Sequence, residues 1–369
     1  MHPSIDSPIY LDANATEILR PSARQAVLEG LNMEGNPSSV HYYGRQARQA
    51  LETARKNIAS YFQRDRESCV FTSGATEADA LALHAFGFAE KRRILVGATE
   101  HDAILQSAPG AIKLPVNSQG LLDLDVLRQY LQDGVPSLVC IMAANNETGI
   151  LSPLEDAARL CRDYGARLHI DAVQIIGRLA LSLTAIESAS LAISGHKFGG
   201  PKGVGALILA EDIPIAPLFT GGGQERGRRG GTPALANILG MAAALKESSQ
   251  QNWEPIRNLR DKLELVIQEA GGESLNAGLA RLPNTLSVVL PGVSAQTQLM
   301  MLDLAGYCVS AGSACSSGKV SSSHVLQAMG LGEKAGQAIR ISLPWNIQPD
   351  AIESFGKAYR DMTQRLLKG

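Results

Sequence analysis

The chain has 369 residues, 34 basic and 36 acidic side chains, a formal net charge of -2, and 45% hydrophobic against 19% charged residues. That length suits one large or two medium globular domains, and the ordinary apolar content excludes a disordered chain. A balanced charge supplies no global field for a polyanion, so nucleic acid is not an expected direct partner.

The opening Met1-His-Pro-Ser-Ile-Asp-Ser-Pro8 has neither a basic nor an apolar leader region, and runs such as 138–144 are too short to span a bilayer. The expectation is a cytoplasmic protein without a membrane partner. Residues 45–62 read as a helix, because Ala47, Leu51, Ala54, Ile58 and Phe62 fall on one face. From 69 to 210, β-rich runs alternate with helical ones: 69–72, 93–96, 138–142, 167–170, 191–194 and 205–209 as strands, with Leu124, Leu127 and Leu131 marking a helix over 123–132. That rhythm predicts a mainly parallel sheet with helices on both faces. After a Gly-rich stretch, 221–231, a long helical region over 235–270 is expected to bridge two domains. The tail reads as a smaller α+β domain, with strands at 285–290 and 338–342 and a last helix carrying Ile352, Phe355, Tyr359, Met362 and Leu366 at helical spacing.

The five cysteines are odd in number, with no C-x-x-C and no zinc-type Cys/His spacing, so neither a disulfide framework nor a metal site is expected. Cys69, Cys140 and Cys161 sit in apolar or helical contexts, as small buried hydrophobes do, and Cys308 is grouped with them. Cys315 differs. It lies in Ser310-Ala-Gly-Ser-Ala-Cys-Ser-Ser-Gly-Lys-Val-Ser-Ser-Ser323, a small-residue stretch with little to pack, where an accessible thiol is expected.

Ser194-Gly-His-Lys197 follows a buried strand, which puts Lys197 at the carboxyl edge of the sheet, where open α/β sheets bind ligands. Desolvation there lowers a lysine's pKa and makes it a nucleophile toward a carbonyl carbon. Asp171 ends another apolar strand 26 residues earlier, so acid and amine can face opposite sides of a pyridine ring. Phe71-Thr-Ser-Gly-Ala-Thr-Glu77 is a strand, a Gly turn and a helix start, a backbone anion site if it is not simply a helix with Thr76 covering its first turn. His101 closes Thr99-Glu-His101 after a further strand. No Walker-type phosphate loop is present.

Taken together with Tyr10-Leu-Asp-Ala-Asn-Ala-Thr16, Gly35-Asn-Pro-Ser-Ser-Val-His41, Asn145-Asn-Glu-Thr-Gly149, Asp171-Ala-Val-Gln174, Gly221-Gly-Gly-Gln-Glu-Arg226 and His324-Val-Leu326, these segments run in one order along nearly the whole chain. As a set they resemble the cysteine desulfurases, pyridoxal 5'-phosphate enzymes of fold type I in the class V aminotransferase group. The resemblance implies a large domain over 15–250, built on a mainly parallel sheet of the seven-stranded type flanked by helices. It also implies a small α+β domain from 1–14 and 251–369 that carries the Cys315 loop.

By resemblance, Lys197 is the lysine that bonds the cofactor, Asp171 the partner of its ring nitrogen, and His101 the stacking ring and general acid/base. Gln174 and Asn146 are similar in position to residues around the phenolic oxygen, with Asn146 also near the substrate. Gly74, Ala75, Thr76, Ser194 and His196 resemble the phosphate cradle, to which Thr232 is expected to reach from the other subunit of a homodimer. Arg340 matches the arginine that holds the substrate carboxylate, a geometry the guanidinium fork suits. Cys315 matches the thiol that takes sulfur from L-cysteine, leaving L-alanine and a persulfide for a protein acceptor, whether scaffold or sulfur carrier.

Three departures stand out. Leu343-Pro-Trp-Asn346 replaces a Leu-Gly-Arg-Phe-like run, and Arg229-Gly-Gly-Thr232 replaces Arg-Ser-Gly-Thr. Members that feed an iron–sulfur scaffold carry a longer extension than Leu366-Leu-Lys-Gly369, so a specialised role in tRNA, DNA or cofactor thiolation is expected as readily as iron–sulfur supply. A selenocysteine lyase or another class V enzyme is the alternative within the fold, and a cofactor-binding scaffold the non-enzymatic one.

Overall fold

The computed structural model describes residues 8–181, 190–312 and 322–367. In chain order its elements are β1 (Ile9–Tyr10), α1 (Pro21–Leu31), α2 (Tyr42–Tyr61), β2 (Cys69–Thr72), α3 (Ala75–Ala82), β3 (Arg93–Gly97), α4 (Asp102–Leu105), β4 (Ile112–Leu114), α5 (Leu124–Leu131), β5 (Ser137–Met142), α6 (Leu154–Asp163), β6 (Arg167–Asp171), β7 (Ser190–Ser194) and β8 (Gly205–Ile208). Then follow α7 (Leu235–Ser248), α8 (Glu254–Glu269), β9 (Glu273–Ser274), β10 (Thr285–Val289), α9 (Ala295–Leu304), β11 (Tyr307–Cys308), α10 (His324–Ala328), β12 (Ala338–Ser342) and α11 (Pro349–Leu367).

Seven strands form one sheet in the order β2-β8-β7-β6-β5-β3-β4. The pairs from β4 to β7 are parallel, and β8 runs against both β2 and β7. Being antiparallel to β8 twice over makes β2 run the same way as β7, so the carboxyl ends of β2, β3, β5, β6 and β7 share one edge. β5 is buried along its whole length, as a strand covered on both faces must be. The amphipathic stripe expected on α2 is buried as well, with Ala47, Leu51, Ala54 and Ile58 inside and Phe62 closing the C-terminus, and Leu51, Ala54, Ile58 and Phe62 share one apolar core with Val139 and Ile141 of β5.

The region 235–270 is two helices, not one: α7 ends at Ser248 and α8 begins at Glu254 with a proline in its first turn. Proline lacks the N–H an interior position needs, so it starts the second helix instead of continuing the first. α8 and α11 pack on β10 and β12 around a second apolar core of Leu263, Ile267, Leu286, Ile341, Phe355 and Tyr359. Leu11 belongs to that core as well, because β1 pairs with β11.

Two local features carry strain or close approach. A Cβ on Gly205 would lie 2.6 Å from the carbonyl carbon of Gly74, so the start of β8 can touch the turn after β2 only as glycine. In the Gly-rich stretch, Glu225 (φ 48°) and Arg226 (φ 59°) hold left-handed conformations that cost non-glycine residues about 1 kcal/mol or more each. Arg55 offsets this with a buried fork onto Glu225 at 2.6 and 2.8 Å, and the Phe71 N–H donates to the same carboxylate at 2.9 Å. The departure at 343–346 has a clear place: Trp345 donates its Nε1–H to the Ile18 carbonyl at 3.0 Å, and the Arg20 guanidinium lies 4.8 Å above its ring.

Candidate active site

A cavity of about 720 Å³ opens at the shared carboxyl edge of the sheet. Gly74, Ala75, Thr76, His101, Asn146, Asp171, Gln174, Ser194, His196, Lys197 and Arg340 all line it. Thr232 does not. It is exposed and lines a neighbouring crevice with Ser73, Gly203 and Arg229. Cys315 lies outside the described residues.

Lys197 stands in the single 3-10 turn after β7, and its Nζ donates to the carbonyl of Asn14 at 2.7 Å. Burial, with Arg340 and Arg178 nearby, pushes its pKa down to about 8. An amine that loses its proton this readily is prepared to attack a carbonyl carbon. Asp171, at the end of β6, is buried and accepts from the Val173 N–H at 2.9 Å. Burial and the neighbouring Asp79 raise its pKa to about 7, a value that falls again once a cation arrives. Two residues earlier on the same strand face, His169 bonds Asp79 through Nε2 at 3.0 Å and Ser190 through Nδ1 at 2.9 Å. Burial lifts Asp79 to about 8 and depresses His169 to about 4, so this pair is a carboxylic acid beside a neutral imidazole.

The start of α3 bears on the two readings of Phe71–Glu77. The N-cap is Gly74, with no side-chain cap, and Thr76 is one residue inside the helix, so Thr76 does not cover the first turn as a cap. The helix therefore offers uncapped N–H groups to the cavity, which suits an anion. A Cβ on Gly74 would meet only the Ser194 hydroxyl, at 3.9 Å, so the space there is open. His196 Nδ1 is 3.1 Å from the Thr16 hydroxyl, and burial together with Lys197 and Lys202 lowers its pKa to about 4. His101 is the N-cap of α4: its Nδ1 accepts from the Ala103 N–H at 3.0 Å, which leaves the ring proton on Nε2 of the neutral form.

The guanidinium of Arg340 donates from Nη1 to the Asn146 carbonyl at 3.0 Å and from Nη2 to Asp12 at 2.7 Å. Among the described residues, its buried Nε has no hydrogen-bond partner. Beside it, the Asn145–Gly149 turn is fixed by the Asn145 side-chain oxygen, which accepts from the Glu147 and Thr148 N–H groups at 2.9 and 3.0 Å. The buried Glu147 carboxylate accepts from the Ser323 hydroxyl, and a Cβ on Gly312 would lie 1.9 Å from the same oxygen. His324 donates Nε2–H to the Glu100 carbonyl at 3.0 Å. Of the other thiols, Cys69, Cys140 and Cys161 are buried and Cys308 is partly exposed.

The donor set fits pyridoxal phosphate: an uncapped helix start for the phosphate, an acid for the ring nitrogen, a readily deprotonated lysine for the aldehyde carbon, and a guanidinium fork for a carboxylate. Sequence reasoning gave no role to Asp12, Asn14, Thr16, Asp79, Glu147, Arg178 or Lys202. The first three lie in a motif it did single out, Tyr10–Thr16, and Glu147 lies in another, Asn145–Gly149.

The aminotransferase class-V family profile matches residues 9–355. A cysteine desulfurase of Cereibacter sphaeroides is 40% identical over 350 residues, covering 91% of this chain and 90% of that protein. Cysteine desulfurase NifS of Azotobacter vinelandii is 37% identical over 353 residues, with 91% and 87% covered. Among solved structures, a NifS-like protein from Rickettsia africae superposes with a TM-score of 0.88 at 34% identity, over 96% of this chain and 99% of that one. The chain therefore belongs to the class-V aminotransferases and, among them, to the cysteine desulfurases, pyridoxal-phosphate-dependent enzymes that take sulfur from L-cysteine.

Proposed function

We propose that Lys197, Asp171, His101, Arg340 and Cys315 carry the desulfurase reaction in this chain, and that the sulfur leaves as a persulfide on Cys315. The observation that carries this reading is the convergence on one cavity of Lys197 with its depressed pKa, buried Asp171, the uncapped start of α3 and Arg340.

In this reading the N–H groups of Ala75 and Thr76, with Ser194 and His196, hold the phosphate, and Asp171 keeps a proton on the ring nitrogen. Pyridoxal phosphate, when bound, stores the electron pair left by loss of the substrate's α-proton and so weakens the Cβ–Sγ bond. Arg340 fixes the substrate carboxylate, and Lys197 and His101 Nε2 move protons at the α-carbon and at the sulfur. Attack by the Cys315 thiolate forms the S–S bond as the Cβ–Sγ bond breaks, and a proton delivered to carbon completes alanine.

Thr232 serves the partner's phosphate across a homodimer, in keeping with its exposure and its absence from its own chain's cavity. The acceptor is a protein, either an assembly scaffold or a sulfur carrier for thiolation. A cytoplasmic setting suits the sparse cysteines, of which the four among the described residues are free thiols, and among the described residues no helix is long and apolar enough to cross a membrane.

The test is to titrate the purified yellow holoenzyme with L-cysteine and assay alanine and sulfide, with mass spectrometry locating the persulfide. Persulfide on Cys308, or alanine release at full rate with no protein persulfide, would reject the assignment. Turnover of selenocysteine but not cysteine would mark a selenocysteine lyase.

A further inference from the structure

Arg178 lies in the turn after β6, is 3% exposed, and does not line the cavity. Its Nη1 donates to the backbone carbonyl of Gln174 at 3.0 Å and to the Gln174 side-chain oxygen at 2.5 Å, and its Nη2 donates to the Ala13 carbonyl at 3.2 Å. Glu17, at 4.0 Å, is the carboxylate facing it. The turn cannot drift, because the Trp253 indole N–H donates to the Gly177 carbonyl at 2.6 Å.

A guanidinium only donates, so the end of the Gln174 amide that meets it must be the oxygen. The opposite end, Nε2, then donates to the Asn14 carbonyl at 3.0 Å, the same oxygen that accepts from Lys197 Nζ at 2.7 Å. Two groups bonded to one oxygen are neighbours, and Nε2 has a second hydrogen for the cavity that Gln174 lines. In pyridoxal phosphate the ring carbon next to the one bearing the aldehyde carries an acidic hydroxyl oxygen. A donor beside Lys197 meets that oxygen, whereas a flipped amide would present an acceptor and repel it.

We propose that Arg178 is a positioning residue that locks the Gln174 amide with its N–H groups toward the cofactor's phenolic oxygen. This rests on the reading of Lys197 and Gln174 as cofactor contacts. The groups facing Lys197 are Arg340, Arg178, Asp171 and Asp12, so loss of Arg178 also removes a cation from its surroundings. Both effects act in one direction: with the donor and the cation gone, the nitrogen of Lys197 keeps its proton to higher pH.

The experiment is a pH titration of the holoenzyme's visible absorption band in wild type, Arg178→Lys, Arg178→Met, Gln174→Leu and the Arg178→Lys/Gln174→Leu double variant, with thermal midpoints recorded alongside. Arg178→Lys keeps the charge but not the fork, and is expected to raise the band's midpoint by about one pH unit while the thermal midpoint stays near wild type. Arg178→Met should raise it further, and the double variant should match the larger single shift, because the two residues act as one unit. A Gln174→Leu shift with Arg178→Lys at the wild-type midpoint would overturn the role of Arg178 and leave the site reading intact. Gln174→Leu with an unmoved band would instead remove Gln174 as a cofactor contact. If Arg178→Met fails to fold, Arg178→Lys decides alone.

Discussion

Arg340 and Asp12 are joined at 2.7 Å, so the arginine proposed to hold the substrate carboxylate already holds a carboxylate of its own chain. On that proposal, Asp12 competes with cysteine for Nη2 and keeps the guanidinium aligned until substrate arrives. Arg340→Lys, which retains charge but loses the fork, should raise KM for cysteine about tenfold or more. Asp12→Asn should lower KM, with kcat nearly unchanged. Steady-state kinetics check both, and a raised KM in Asp12→Asn would make Asp12 an aligner alone.

The attachment proposed for Lys197 needs its amine neutral, and its pKa is pushed down to about 8. The neutral fraction grows as pH rises, so the rate of reconstitution from apoprotein should climb through that midpoint and level off above it. Borohydride reduction of the holoenzyme should leave the cofactor on Lys197, and Lys197→Ala should bind it reversibly only. A midpoint near the ordinary lysine value would mean that burial does not act on this amine.

Cys315→Ala should keep the yellow colour and the spectral response to cysteine, yet form no persulfide and release alanine at a few per cent of the wild-type rate or less, roughly the loss expected for a nucleophile. Mass spectrometry and alanine assay read this out directly.

Gly312→Ala would place a methyl group on the Glu147 oxygen that accepts from Ser323. The carboxyl group must then shift, leaving a buried acceptor without its donor, a loss of about 1–3 kcal/mol. Denaturant unfolding should register it, and Ser323→Ala should cost a similar amount. Equal stability of both variants with wild type would make that contact dispensable.

A homodimer is expected in sedimentation, with Thr232→Ala weakening cofactor retention. A fully active monomer would send Thr232 back to its own chain.

The sheet was legible because several of its strands are short, mostly buried runs: 69–72 and 138–142 are buried residue by residue, and in 167–171 every residue after Arg167 is buried. β4 was not, since three residues carry no period. Residues at strand ends, such as Asp171 and Lys197, could be placed because a strand's end and the crevice beyond it are local in sequence. Asp12 and Asn14 could not. β1 is two residues long and reaches the cavity by pairing with β11, almost 300 positions away, a contact no local pattern encodes. Arg178 escaped because a buried arginine reads as a surface one until its acceptors, two of them carbonyls, are known. The strained Glu225–Arg226 turn was hidden in the same way, its compensating Arg55 being on α2.

The oxygen that receives both Lys197 and Gln174 belongs to a peptide bond, not to a side chain. No codon specifies it, so no substitution at position 14 deletes it. The Asn14 side chain meanwhile ties the loop to the Asn146 carbonyl and the Thr285 hydroxyl at 3.1 and 3.0 Å. Mutation can move this acceptor, by loosening those two ties, but cannot abolish it. The amine's partner thus comes with the fold itself, and a side-chain change can only tune how firmly the main chain holds it in place.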